Sequence, residues 1–204
     1  MKAPRKDTLE TRRQIVNAAE KLFAEHGIDN VGLLDISREA GQKNRNAAQY
    51  HYDNKANLIT AVLDRHTDEI NIRRALMLEQ LKDTKKPQVA DLIKVLVLPV
   101  AEHVASTGNS MAFLLINSQM MTTQALATMR KERTANMPEV KRLNALFAKV
   151  LPKASAEKQK ARLLLVQSML HHGLASFHSL YPGKSNKGFV ESLCTGIEAV
   201  LTET

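Results

Sequence analysis

Apolar residues recur at three- and four-residue intervals along most of this chain, and runs that alternate apolar with polar are nearly missing. The first period gathers apolar side chains on one face of a helix, so the expected fold class is all-α. Near the N-terminus Ile15, Ala18, Ala19, Leu22 and Phe23 make one such stripe. Asp7 and Glu10 have the spacing of a capping box at its start, and Gly27 is a natural stop at its end. A short second helix is expected from Leu33 to Ala40, with Leu33, Ile36 and Ala40 on one side and Gly41 as the turn. A third is expected from about Asn44 to Tyr52. Asp53 and Asn54 break it, and Asn54 can cap a fourth helix that begins near Lys55.

Three short helices with a sharp glycine turn between the second and third make a helix-turn-helix. The expected organisation is therefore a helix-turn-helix domain over residues 1–55 and a larger helical domain over residues 56–204. A break is expected in the second part near Asp83 to Gln88, and Pro99 in the following helix removes one backbone hydrogen bond, which predicts a kink near Val95.

Composition agrees with a globular helical protein: of 204 residues 44% are hydrophobic and 25% charged, with only 8 Gly and 6 Pro. The charged first ten residues do not lead into an apolar run, which argues against a signal peptide, and the longest apolar run, "VLVLPVA", is too short to span a bilayer. Cys194 is alone and nothing points to an oxidising compartment, so cytoplasm is the expected location. The net charge of +8 favours a polyanionic partner, but residues 1–55 contribute only +2 of it. The local excess lies at Lys2, Arg5, Lys6, Arg12 and Arg13, and in a belt from Arg130 to Arg162 with ten basic and three acidic residues. Such a belt reads first as a solvated helix face and second as an anion-binding surface.

The segment "TRRQIVNAAEKLFAEHGIDNVGLLDISREAG" followed by "QYHYDNKANLI" resembles the N-terminal domain of the tetracycline-repressor (TetR) family of transcriptional regulators. The resemblance covers about the first 60 residues and rests on the helix ending "LFAEHG", the "DIS" helix ending "REAG", and the aromatic-His-aromatic run before a lysine. Three features depart from it. Gly32 replaces the usual Ser/Thr cap, the turn and third helix hold one residue more than the commonest spacing, and Gln49 stands where a tyrosine is frequent.

A reading helix needs groups that address base edges, flanked by groups that fix register on phosphates. Arg45 suits a bidentate pair with guanine, and Asn46 or Gln49 one with adenine. Lys43 is a phosphate candidate, and the resemblance implies the same role for Tyr50, His51 and Lys55. Asn44 joins this set or only caps the helix; Ala47 and Ala48 pack inward or approach a thymine methyl; Tyr52 fits the core of the small domain better than DNA.

The resemblance implies a small-molecule inducer site in the larger domain. Candidate lining residues are Met77, His103, Phe113, Asn117, Met121, Phe147 and Met169, with His103 and Asn117 as the polar groups; simple core filling is the rival use of the methionines. In the last two helices Leu163, Val166, Leu170, Gly173 and Phe177, with Phe189, Leu193 and Ile197, form stripes suited to a homodimer interface, internal core being the alternative. No cofactor or metal is expected. His171, His172 and His178 lack carboxylate companions on their helix, and no phosphate-binding glycine loop, Cys-x-x-Cys pair or nucleophile elbow occurs, so an enzyme is not expected.

These readings together predict a dimeric, inducer-released repressor on a palindromic double-stranded DNA operator. The competing reading is a helical carrier or enzyme with a vestigial DNA-binding module.

Overall fold

The computed structural model describes residues 6–84, 87–106 and 110–203. Lys2 and Arg5 of the basic N-terminus, and Lys85 and Lys86 of the expected break, lie outside the described residues. The described residues form ten α-helices and no strand: α1 (Lys6–His26), α2 (Leu33–Glu39), α3 (Ala47–Tyr52), α4 (Lys55–Gln80), α5 (Val89–Ser106), α6 (Ser110–Gln119), α7 (Gln124–Ala135), α8 (Pro138–Val150), α9 (Ala156–Leu180) and α10 (Lys187–Thr202). A single 3-10 turn, Leu81–Asp83, follows α4. The fold is all-α, as the periodicity predicts.

The chain divides into two compact units, one ending at Thr67 and the other starting at Asp68. The division falls inside α4, whereas the sequence pattern places it at Lys55. A helix carries no turn signal where its neighbours change, so the pattern marks the start of α4 and not the point at which its packing partners switch.

In the first unit the α1 stripe is buried except at Leu22, which is half-buried: Ile15, Ala19 and Phe23 are fully enclosed, with Ile36 of α2, Ala48 of α3 and Leu58 and Val62 of α4. Burying one of the larger of these, Ile, Leu, Val or Phe, contributes roughly 1.5–3 kcal/mol. Gly27 and Gly41 both adopt left-handed backbone, at φ 86° and 66°, and close α1 and α2. The carboxylate of Glu20, 2% exposed, sits among these apolar groups and is matched by Arg65 at 2.8 Å and His66 at 2.7 Å.

In the second unit α9 packs against α6 and α10, and α5 against α10 and α8. Leu92, Ile93 and Val97 of α5, Leu114 and Ile116 of α6, Leu174 of α9 and Ile197 of α10 are fully enclosed. Ser155 caps α9 by accepting the Lys158 N–H at 3.2 Å. Pro99 lies inside α5, which continues on both sides of it.

The expected interface stripe needs correction. Val166, Leu170, Leu193 and Ile197 are buried within one chain, so they are internal core and not a surface offered to a partner. Gly173 of α9 faces Phe189 and Leu193 of α10, and Phe177 stacks on Phe189 at 4.8 Å. The internal-core alternative therefore holds for Val166, Leu170, Leu193 and Ile197, whereas Gly173, Phe177 and Phe189 are half-buried where α9 meets α10. Leu163, with Leu164 and Leu165, is more than half exposed.

Candidate nucleic-acid interface and the interior of the larger unit

The segment from Gly41 to Lys55 is built on a short framework of backbone bonds. Gly41 N–H donates to the Arg38 carbonyl and Gln42 N–H to the Ser37 carbonyl, which ends α2. The Asn44 side chain then accepts the Asn46 N–H at 3.0 Å, while its own carbonyl accepts the Ala47 N–H. This side-chain turn competes with helix. As a result α3 starts at Ala47 and not at Asn44, and Lys43, Asn44, Arg45 and Asn46 occupy the turn before it. The expected reading helix is thus shorter by its first three residues, and Arg45 reaches outward from a loop.

Ser37 is a residue that sequence reasoning misses. It is fully buried in α2, donates to the Leu33 carbonyl at 3.0 Å and accepts the Ala48 N–H at 3.0 Å. It therefore satisfies an amide in the first turn of α3 and pins that helix to α2. Its place beside the apolar stripe of α2 is the available signal, since a hydroxyl there must find a partner.

Ala47 and Ala48 are buried, which settles them as inward packing. Tyr52 is 6% exposed; its hydroxyl donates to the Arg12 carbonyl at 3.2 Å, and the Arg12 guanidinium lies 4.6 Å above its ring. Tyr52 is thus a core residue of the small unit. Arg12 also donates to the His51 carbonyl at 3.1 Å, tying α1 to the end of α3. Asp53 takes a left-handed backbone at φ 61°, and Asn54 caps α4 by accepting the Asn57 N–H at 2.9 Å.

Between Lys43 and Tyr50 the exposed residues are Lys43, Asn44, Arg45, Asn46, Gln49 and Tyr50, the last with 79% of its surface open, and the carboxylate of Asp53 is exposed beyond them. His51 and Lys55 are half-buried at the edge of the set, and Lys55 reaches the Asp29 carbonyl at 3.5 Å. Burial first, and the Arg12 charge second, hold the His51 imidazole below the ordinary histidine range, so it is neutral at pH 7. A neutral imidazole offers a donor to a phosphate oxygen without adding charge. The arrangement presents two cations, three carboxamides and a phenol from one continuous strip, the donor and acceptor types that base edges and phosphates take.

The candidate ligand residues of the larger unit fall into separate groups. Met77 and Phe147 pack against Leu78, Leu92, Val95 and Leu143 in an apolar cluster. Met169 reaches toward Gly196 of α10. Asn117 is buried, but its amide donates to the Phe113 carbonyl of its own helix at 2.9 Å. Met121 follows α6, half-buried. His103 and Phe113 meet through their rings, which lie edge-on with centroids 6.2 Å apart, and His103 Nδ1 is 3.1 Å from the Glu69 carboxylate. Phe113 also lies 6.4 Å from the ring of His171, a residue that sequence reasoning considers only as a metal ligand and rejects. A half-open cleft of about 280 Å³ lies between α5 and α10, lined by apolar residues such as Ile93, Leu98 and Val190 together with Lys94, Glu191 and Glu198, none of them in the expected set.

Comparison with known proteins extends the geometry. Residues 15–62 match the family described as "Bacterial regulatory proteins, tetR family". The HTH-type transcriptional regulator TtgR of Pseudomonas putida is 42% identical over 60 residues, a segment that is 29% of this chain and 28% of TtgR. The probable HTH-type transcriptional regulator ArpR, also of Pseudomonas putida, matches to the same extent. The match thus spans under a third of these curated relatives. Among solved structures, native NalD, the secondary repressor of the MexAB-OprM multidrug efflux pump in Pseudomonas aeruginosa, superposes with a TM-score of 0.62 at 21% identity, covering 97% of this chain and 99% of NalD. The fatty acid degradation regulator FadR from Bacillus halodurans does so with a TM-score of 0.60 at 13% identity, covering 100% and 97%. The likeness of fold therefore extends over both units, and the likeness of sequence is concentrated in the first. Among the described residues no helix is long and apolar enough to cross a membrane.

Proposed function

We propose that this chain, whose N-terminal domain is that of the tetR family of bacterial regulatory proteins, is a ligand-responsive transcriptional repressor. It acts in the cytoplasm as a homodimer on a roughly palindromic DNA operator and leaves it when a small molecule binds the larger unit. The observation that supports this most directly is the exposed strip from Lys43 to Tyr50, held over the buried pair Ala47 and Ala48. A helix with an alanine underside lies close to its support and projects long polar side chains on the other face, the form that enters a major groove.

In this reading Arg45, Asn46 and Gln49 address base edges, while Lys43, Asn44, Tyr50, His51 and Lys55 set register on phosphates. Dimerisation through the exposed Leu163, Leu164 and Leu165 of α9 supplies one such strip for each half of the operator. The inducer works by binding the DNA-competent and DNA-incompetent arrangements with unequal affinity, since equal affinity shifts nothing.

The test begins with selection of bound duplexes from a randomised pool, followed by gel shift of the winners against salt. A palindromic consensus whose affinity falls steeply with salt, and is weakened by Arg45→Ala, is expected. Recovery of no consensus, with salt-insensitive indifference to DNA, would reject the repressor and leave a helical carrier.

A further inference from the structure

The interior of the larger unit contains positive charge without a matching carboxylate. Arg74 of α4 is 6% exposed, and its guanidinium donates only to the side-chain oxygen of Asn71. Its Nε is shut off from solvent with no acceptor. Arg130 of α7 is half-buried; it donates to the side-chain oxygen of Gln167 on α9, and its Nε is enclosed and without an acceptor. Among the described residues no carboxylate lies within ion-pair distance of either group. Glu139 of α8 acts on Arg74 only through space.

His171 connects the two. Its Nδ1 lies 3.0 Å from the Gln167 carbonyl, which only accepts, so the proton is on Nδ1 and Nε2 carries a lone pair. Burial first and then the charges of Arg130 and, more weakly, His172 and Arg74 keep this imidazole neutral, with its pKa pushed down to about 3. Both guanidiniums thus lie within electrostatic reach of one ring. Burial brings Arg74 down to about 10, which still leaves it charged at pH 7. Gln167 holds both neighbours, Arg130 by its side chain and His171 by its carbonyl. The buried Phe113 ring lies tilted beside that of His171, with centroids 6.4 Å apart.

Buried cations without counter-ions are costly, and arginine cannot discharge itself to escape the cost. A planar carboxylate matches the guanidinium fork and supplies the opposite charge that such a group lacks. We propose that the larger unit takes an organic anion, a carboxylate on an apolar body, with Arg74 and Arg130 receiving the charge and Phe113 and His171 flanking the body. The inference rests on reading this unit as the ligand-binding half of a regulator and names the chemistry of that ligand.

The experiment uses the full chain and two probes, sodium 2-naphthoate and sodium dodecanoate, each set against its neutral amide in thermal-shift and calorimetric titrations. At least one carboxylate is expected to raise the melting temperature while its amide does not. Arg74→Met and Arg130→Met are each expected to weaken carboxylate binding about 10- to 100-fold, the loss of a charge-assisted hydrogen bond. Each variant is also expected to melt, without ligand, at or above the temperature of the parent chain, because an apolar side chain replaces an unmatched charge. Equal binding of acid and amide, carboxylate binding untouched in both variants, or no binding of either acid would overturn the proposal. So would ligand-free variants that melt lower, since the arginines would then be structural. Gel shift on the selected operator separates this from the wider reading. Operator binding without carboxylate binding sinks the anion site alone, and carboxylate binding without operator binding sinks the repressor alone.

Discussion

In the first unit the buried carboxylate of Glu20 takes Arg65 at 2.8 Å and His66 at 2.7 Å. In the second, Arg74 is about as deeply buried and meets one carboxamide, while the half-buried Arg130 meets another. The same physics applies to both, since a charge removed from water needs an opposite charge or a full set of hydrogen bonds. One unit supplies that set from its own sequence and the other leaves it open. On the proposed reading the first unit presents side chains to DNA and gains from a closed interior, because every exposed donor in the strip depends on a fixed backbone beneath it. On the same reading the second responds to a small molecule and gains from an interior whose electrostatics a ligand completes.

The strongest way to break this comparison is to open the closed side. Glu20→Leu leaves Arg65 and His66 without their carboxylate, and His66 is too enclosed to recover it from water. A loss of about 3–5 kcal/mol is expected, the usual cost of removing one partner from a buried pair. Urea unfolding followed by circular dichroism reads it. A loss below about 1 kcal/mol would show that the first unit does not depend on its internal ion pair, and the contrast between the units would fall with it.

Operator affinity comes next. Arg45→Ala and Gln49→Ala remove candidate base contacts from exposed positions, each with an expected cost of about 1–3 kcal/mol in binding and little change in melting temperature. Lys43→Ala is expected instead to reduce the salt slope by about one, as for a phosphate contact. If Arg45→Ala lowers affinity equally for every duplex, its role is on the backbone and not on the bases.

The two units also differ in how much of them can be read from sequence. The first is legible almost to the residue, because Gly27, Gly41 and Asn54 are local signals that act within a turn of where they stand. The start of α3 is misplaced because Asn44 offers its side chain to the backbone, and that competition with helix is decided by geometry that spacing does not carry. In the second unit the helices are legible and their partners are not. Val166, Leu170, Leu193 and Ile197 show a heptad-like stripe whether they face another chain or their own neighbour. The belt from Arg130 to Arg162 reads as solvated, yet Arg162 is 6% exposed and donates to the Glu203 carbonyl. Arg73 and Arg74 look alike in sequence, and only the fold sends Arg74 inward while Arg73 pairs with Glu102. Helical phase is readable; which charge lies inside is not.

Acid sharpens the contrast more gently. His171 is neutral in the fold, its pKa held at about 3 first by burial and then by Arg130, while the unfolded chain takes up a proton near pH 6.5. A depressed native pKa means that the unfolded state binds more protons, so this group's contribution is complete above pH 6.5 and is lost as pH falls toward 3. Between about pH 7 and 5.5 the loss amounts to roughly 1.2 kcal/mol for one such histidine. The difference in unfolding free energy between the parent chain and His171→Gln, followed across those two pH values, isolates it from other titrating groups. Parallel pH profiles for the two proteins would mean that His171 is open to protons in the folded state.

The smallest effect tests the boundary between framework and reading surface inside the first unit. Tyr50 and Tyr52 are two residues apart on α3, yet one is 79% exposed and the other 6%. Tyr52→Phe deletes the hydroxyl that donates to the Arg12 carbonyl and keeps the ring beneath the guanidinium. A loss of about 0.5–1 kcal/mol in stability is expected, with operator affinity unchanged. Tyr50→Phe, by the opposite logic, leaves stability untouched and weakens the operator complex by a few-fold, because its hydroxyl has only solvent and a candidate phosphate to reach. Exchange of these two outcomes would place Tyr52 on the DNA side, and the strip would then have to be redrawn around the far end of α3.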